Sequence, residues 1–366
     1  MSKLEVIGMV GTREESEAFA SDTSDAIDVN YLRRFAKAHD EAGFDRVLIG
    51  YSSSAPDGFA VAADVLNQTT NLGVLIAHRP GFVTPTVQAR KLATLDQLSG
   101  GGRVAIHHIS GGSEIDQRRD GDFVDKDGRY RRTAEFIQVL RKTLYSEEPF
   151  DFDGEFYTFE QAYSTVRPAT AAGIPIYFGG QSPIAVEVGA ANTDVFMLFG
   201  EPLAETAERI ALIRETAAKY GREVEFSLST RPIIADTEDD AWKRAQAIYD
   251  AAAARVPDAP SKALWFSGNT NAAVSAQRLQ ELAAEREVHD ERLWFGMTKL
   301  AGPGGNSTAP VGTPDQVIET LLRYYDLGVT KFLIRGFDPL GDVIEWGRAL
   351  VPGLRAAARD RGAVNA

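Results

Sequence analysis

Histidine is scarce in this chain, five in 366 residues, and three of the five close apolar runs. "LGVLIAHRPG" carries His78, and "VAIHHISGG" carries His107 and His108 just before two glycines. Imidazoles at strand ends suit metal ligation, proton transfer or hydrogen bonding to a bound molecule. A metal centre would draw several His and Asp from different strands. The first apolar run, "LEVIGMV", has no histidine. Neighbours on a strand face opposite sides, so only one of His107 and His108 can look inward. No metal is expected.

Nucleophilic chemistry has weak support. "YSSSAPDG" offers Ser52, Ser53 and Ser54 but no G-x-S-x-G elbow. The chain has no cysteine, which removes thiolate nucleophiles, disulfides and iron–sulfur clusters together. Anion binding has more support. "PIYFGGQSPIAVEVGAA" reads strand, Gly179-Gly180-Gln181-Ser182, helix. Glycines that allow close approach to a helix N-terminus make a phosphate site. Arg13, Arg79, Arg231 and Arg335 also fall at the ends of apolar runs. Guanidinium groups pair well with sulfonate, carboxylate or phosphate. At least half of these four are expected to be tied to neighbouring carboxylates.

These residues need a frame. Eight apolar, β-branched runs lie at 4–10, 46–50, 72–77, 104–109, 174–179, 194–200, 224–230 and 331–336, with helical patterns between them. Alternation of this kind implies an α/β fold with a parallel sheet, and eight units point to a TIM-like (β/α)8 barrel. No G-x-G-x-x-G follows the first strand, which disfavours a dinucleotide-binding fold. The expectation is one domain over 1–366, with chemistry at the C-terminal ends of the strands. Two insertions interrupt the repeat. Residues 111–132 read as a long polar loop, and 254–312 read as a mobile lid near the barrel mouth.

The net charge of −13 argues against nucleic acid or an anionic membrane as partner. No apolar run approaches the roughly 20 residues of a membrane span. The stretch "MSKLEVIGMVGTREESEAF" lacks a signal-peptide core. A soluble, cytoplasmic protein is expected.

Four segments run in the order of one family: "AHRPGFVTPTVQARKLATLDQLSGGGRVAIHHISGG" (77–112), "DGRYRRTAEFIQVLR" (127–141), "PIYFGGQSPIAVEVGAANTDVFMLFGEP" (175–202) and "PVGTPDQVIETLLRYYDLGVTKFLIRGF" (310–337). The chain resembles the bacterial-luciferase-like flavin-dependent monooxygenases, in particular their alkanesulfonate monooxygenase branch. The resemblance implies a luciferase-like barrel that holds reduced FMN (FMNH2) at its mouth. A separate NAD(P)H-dependent flavin reductase would supply the flavin. O2 as co-substrate would give a peroxyflavin that oxygenates a small organic substrate, such as an alkanesulfonate cleaved to aldehyde and sulfite. His107 would meet the flavin, Tyr130 would reach its phosphate, and Gly180, Gln181 and Ser182 would form the phosphate turn. His78 would lie near the flavin or simply end its strand. The Ala77–His78 bond falls where the family often carries a cis peptide. A homodimer or homotetramer is implied.

Where that branch has a cysteine after the second strand, this chain has Ala55. Its Arg-x-His becomes Ser229 to Arg231, its late tyrosine becomes Phe337, and Arg13 stands roughly for a histidine. Arg231, with Ser53 or Ser54, is therefore the candidate for catalytic contacts. Arg13, Arg79, Arg335 and Phe337 are the candidates for substrate. Two other readings share the frame: an F420-dependent hydride-transfer oxidoreductase, and a flavin-binding protein without catalysis.

Overall fold

A computed structural model of the chain describes residues 4–19, 21, 23–110, 113–255, 274–301 and 308–364. Strands β1 (Glu5–Val10), β2 (Arg46–Ile49), β3 (Gly73–His78) and β4 (Val104–His108) follow one another around a wall. A hairpin of β5 (Phe150–Asp153) and β6 (Thr158–Ala162) stands outside it. The wall continues with β7 (Ile176–Gly179), β8 (Val195–Phe199) and β9 (Glu225–Thr230). A small second sheet is made of β10 (Ile233–Ile234), β11 (Val288–His289), β12 (Leu293–Trp294) and β13 (Ala309–Gly312). Finally β14 (Val329–Ile334) pairs with β9 and β1, and the eight-stranded parallel barrel closes. The fold is the α/β barrel expected, with the eight wall strands where the apolar runs lie.

The helices are α1 (Val29–Glu41), α2 (Gly58–Gln68), α3 (Pro85–Leu98), α4 (Glu114–Arg119), α5 (Lys126–Tyr145), α6 (Pro183–Asn192), α7 (Leu203–Lys219), α8 (Glu238–Arg255), α9 (Val274–Glu285), α10 (Gly296–Ala301), α11 (Pro314–Asp326), α12 (Pro339–Ala349) and α13 (Val351–Val364). Most open on a residue that can satisfy the free N–H groups of a first turn. Asp28, Asp57, Asp125, Ser182 and Asp338 each accept such a bond. Thr313 and Gln316 cap α11 reciprocally. No described helix is long and apolar enough to cross a membrane.

Both insertions hold more regular structure than their composition suggests. The segment read as a polar loop contains α4 and the first turns of α5; its Gly111 and Gly112 lie outside the described residues. The segment 254–312 contains α9, α10 and three strands of the second sheet. Trp294, Met297, Ala309 and Val311 form a core there with Ile233, Phe337 and α8. The lid expectation falls partly on 256–273 and 302–307, which lie outside the described residues.

Pleating divides the wall residues into two sets. Val6, Val47, Ile76, Ile106, Phe178 and Phe332 pack outward against the helices. Ile7, Leu75, Ala105, Tyr177, Val195 and Leu333 fill the interior. Beneath them, Glu5 accepts from Arg46 at 2.8 Å and lies 3.2 Å from the ammonium of Lys331, which is as close to Glu225. This ion cluster and the tyrosine close the N-terminal end.

Candidate functional site

At the other end the interior is open. Met9, Leu48, His107, Met197, Phe199 and Ser229 carry on the inward pattern of their strands, yet each is partly exposed. A hollow with mostly apolar walls therefore opens at the C-terminal ends of the strands, where chemistry sits in barrels of this kind. A broad cleft at the opposite end, between α7, α11 and α13, has ion-paired walls that include Arg361, Glu319 and Asp326. It lies at strand N-termini, away from this hollow.

His107 is the histidine of the pair that faces in, two residues beyond the interior Ala105. Burial pushes its pKa down to about 4, so the ring is neutral near pH 7. Its Nδ1 is buried without a protein partner. A neutral imidazole can donate from one nitrogen and accept at the other. His108 faces out, fully buried, with its ring centroid 5.2 Å from that of Phe136 on α5.

His78 does not join His107. It is in register with His108, and its ring lies 5.8 Å from that of His108 and 5.3 Å from that of Phe136. The pleat places it outside the wall, so it ends its strand behind the site and does not line it. The Ala77–His78 peptide is trans, as are all peptide bonds among the described residues.

The turn between β7 and α6 is shaped for close approach. A Cβ on Gly180 would stand 2.7 Å from Ala185 Cβ and 3.3 Å from Tyr130 Oη. Ser182 caps α6 by accepting from the Ala185 N–H, and the Tyr130 phenol stands at the same turn. Burial holds the Tyr130 phenol above its ordinary pKa, so it keeps its proton. Tyr130, Ser182 and the first turn of α6 thus close in on a backbone position that only glycine fits. Their donors and the positive helix end suit an anion. Gln181 behaves differently from its neighbours. Its amide nitrogen donates to Glu201, which is 2 % exposed.

The arginines are tied to carboxylates, as expected for at least half of them. All four have one within 4 Å. Arg13 is bonded to Glu15 in its own loop. Arg79 is buried against Asp116 of α4, and its guanidinium lies over the Tyr51 ring. Ser53 donates to the same Asp116 from its backbone N–H at 2.9 Å and its hydroxyl at 2.5 Å. Ser53 and Arg79 therefore brace α4. Ser54 is exposed, with its hydroxyl 3.2 Å from that of Ser52.

Arg231 is 2 % exposed, donates to Glu17 at 2.8 Å and to the Gly336 carbonyl at 2.8 Å, and covers the Phe337 ring. Burial lowers its pKa to about 10, so it stays charged. Burial would raise Glu17, but the charges of Arg231 and Arg335 outweigh it and bring its pKa to about 2. Phe337 is roofed by this guanidinium and does not reach the hollow. Arg335 remains partly exposed, 3.7 Å from Glu17.

The residues that organise these groups are carboxylates: Glu17, Asp116 and Glu201. Only Glu201 stands out in the sequence, directly after a strand. Among the described residues no three His, Asp or Glu side chains gather that could hold a metal ion. The glycine turn at the α6 N-terminus and the open, apolar-walled hollow with inward His107 fit a cofactor that has an anionic tail and a flat ring with polar edges.

Comparison with known proteins gives the same outline. A family model described as luciferase-like monooxygenase matches residues 10–331. A riboflavin lyase, solved with modified FMN and riboflavin, is 19% identical with a TM-score of 0.77, covering 99% of this chain and 92% of its own. An EDTA monooxygenase from Chelativorans sp. BNC1 is 16% identical with a TM-score of 0.73, covering 97% and 94%. An F420-dependent secondary alcohol dehydrogenase is 18% identical with a TM-score of 0.68, covering 96% and 99%. At these identities the three structures share the fold.

Proposed function

We propose, since this chain belongs to the luciferase-like monooxygenase family, that it is a two-component enzyme that uses reduced FMN and dioxygen to oxygenate a small organic molecule. The observation that carries this reading is the glycine-only turn at Gly180, with Tyr130, Ser182 and the α6 N-terminus around it, in a barrel whose mouth opens beside it. When bound, reduced flavin supplies the two electrons that let dioxygen give one atom to a substrate and the other to water.

The chain's own residues do the rest. Tyr130, Ser182 and the α6 N-terminus hold the phosphate. Neutral His107 orients the ring by hydrogen bonding. Met9, Leu48, Met197 and Phe199 keep water from the reacting centre. A separate NAD(P)H-dependent reductase delivers the flavin. An alkanesulfonate, cleaved to aldehyde and sulfite, is the first substrate class to try, with Arg335 as the cation at the mouth that it would meet.

The test is an anaerobic titration with FMN, reduced FMN and reduced F420, then admission of oxygen under rapid-scan absorbance, then a substrate screen for sulfite release. Preferred binding of reduced FMN and an oxygen-dependent transient support the reading. Binding of F420 alone replaces it with hydride transfer. Tight flavin binding with no oxygen chemistry in the presence of any substrate leaves a flavin carrier.

A further inference from the structure

The insertion after α8 meets the barrel at the junction of β8 and α7, where Phe199 packs on its apolar cluster and two polar side chains reach across. Asp290, between β11 and β12, accepts a hydrogen bond from the backbone N–H of Leu203 at 2.6 Å. Leu203 opens α7, whose own cap residue, Pro202, offers no side-chain bond, so the insertion caps this helix from outside. Arg278 of α9 donates from Nε to one oxygen of Glu201 at 2.8 Å. The other oxygen of Glu201 accepts from the Gln181 amide. The Glu201 carbonyl is itself held by Tyr324 Oη at 2.8 Å and Thr206 Oγ1 at 3.0 Å. One anchored, buried carboxylate thus joins the turn beside Gly180 to a helix of the insertion.

We propose that Glu201 is a positioning residue through which Arg278 sets the affinity of the Gly180–Ser182 turn for reduced FMN. This rests on the function proposed above and adds a residue that never touches the cofactor. An ionised carboxylate only accepts, so it fixes which end of the Gln181 amide faces it. A buried carboxylate needs compensating cations, and Arg278 is the one bonded to it. Arg209 of α7 also senses this charge, so losing Arg278 weakens the cluster without emptying it. Coupling is reciprocal: a cofactor that settles the turn also settles α9.

Glu201 is too buried for a clean substitution, but the Arg278 side chain is 31% exposed and its variants will fold. Reduced FMN is titrated anaerobically into the wild type, Arg278→Gln, Arg278→Lys, Gln181→Leu and the Arg278→Gln/Gln181→Leu double variant. Lys299→Gln on α10 is the control. Arg278→Gln is expected to weaken binding about fivefold, Arg278→Lys to recover part of it, and Lys299→Gln to change nothing. The double variant should bind no more weakly than Gln181→Leu alone. Hydrogen exchange across 274–285 should slow when reduced FMN binds the wild type and respond less in Arg278→Gln. Single-variant effects that simply multiply, unchanged affinity in Arg278→Gln, or exchange in α9 that ignores the bound flavin would each overturn the coupling while leaving the proposed function standing. A wild type that binds no reduced FMN overturns both.

Discussion

Arg231 lies over the ring of Phe337, with Cζ 3.5 Å from the ring centroid, and directs the same guanidinium to Glu17. The pair joins the loop after β1 to the ends of β9 and β14. Because the Glu17 pKa falls from 4.5 to about 2 on folding, its contribution is complete above 4.5 and is lost as pH falls toward 2. Glu17→Gln should cost on the order of 3 kcal/mol at neutral pH, partly because it leaves Arg231 buried beside a neutral amide. Denaturant melts of both proteins should differ near neutrality and converge in strong acid. A constant difference at every pH would refute the ionic account.

The buried histidines set a separate acid limit. Burial lowers His39 and His107 to about 4 and His78 to about 3, and puts His108 well below 6.5. Below 6.5 the unfolded chain takes up protons that the folded chain refuses, so stability falls with pH. Each such histidine contributes up to about 1.4 kcal/mol per pH unit. His108→Leu should flatten the slope of stability against pH below about 6.5. A slope equal to that of the wild type would mean that His108 titrates normally.

Cofactor affinity should answer to the turn at Gly180. Tyr130→Phe removes one donor and should weaken reduced-FMN binding about tenfold with little change in melting temperature. Gly180→Ala forces a methyl group against Ala185 and Tyr130 and should abolish binding at the same concentrations. Full affinity in Gly180→Ala would show that the anion sits elsewhere.

Much of this is legible in the amino-acid sequence. The wall strands announce themselves because a parallel barrel buries both faces; all six residues of β3 are buried. The β5–β6 hairpin is harder to see, since "FDFD" and "TFEQA" are half exposed and form no apolar run. The start of α5 is polar, and its apolar face begins in earnest at Phe136, so 126–132 reads as loop. The turn at Gly180 is a local motif and reads directly. The partners of the arginines do not, because Glu17 and Arg231 are 214 residues apart and only closure of the barrel brings them together. The outward turn of His78 depends on strand register, which a run of six apolar residues leaves open.

The brace around α4 gives another measurable outcome. Asp116 holds Ser53 and Arg79, and Tyr51 donates to Asp120 at 2.9 Å. Asp116→Asn should loosen the segment around α4. Trypsin should then cleave after Arg118 or Arg119 several-fold faster, while far-ultraviolet dichroism stays unchanged. Equal cleavage rates would mean that α4 is held by other contacts.

Among the described residues, the ion cluster of Glu5, Arg46 and Lys331 and the layer of Ile7, Leu75, Ala105, Tyr177 and Val195 above it plug the N-terminal end of the barrel, so the hollow is a blind recess reached from the strand C-termini. Whatever enters must leave by the way it came.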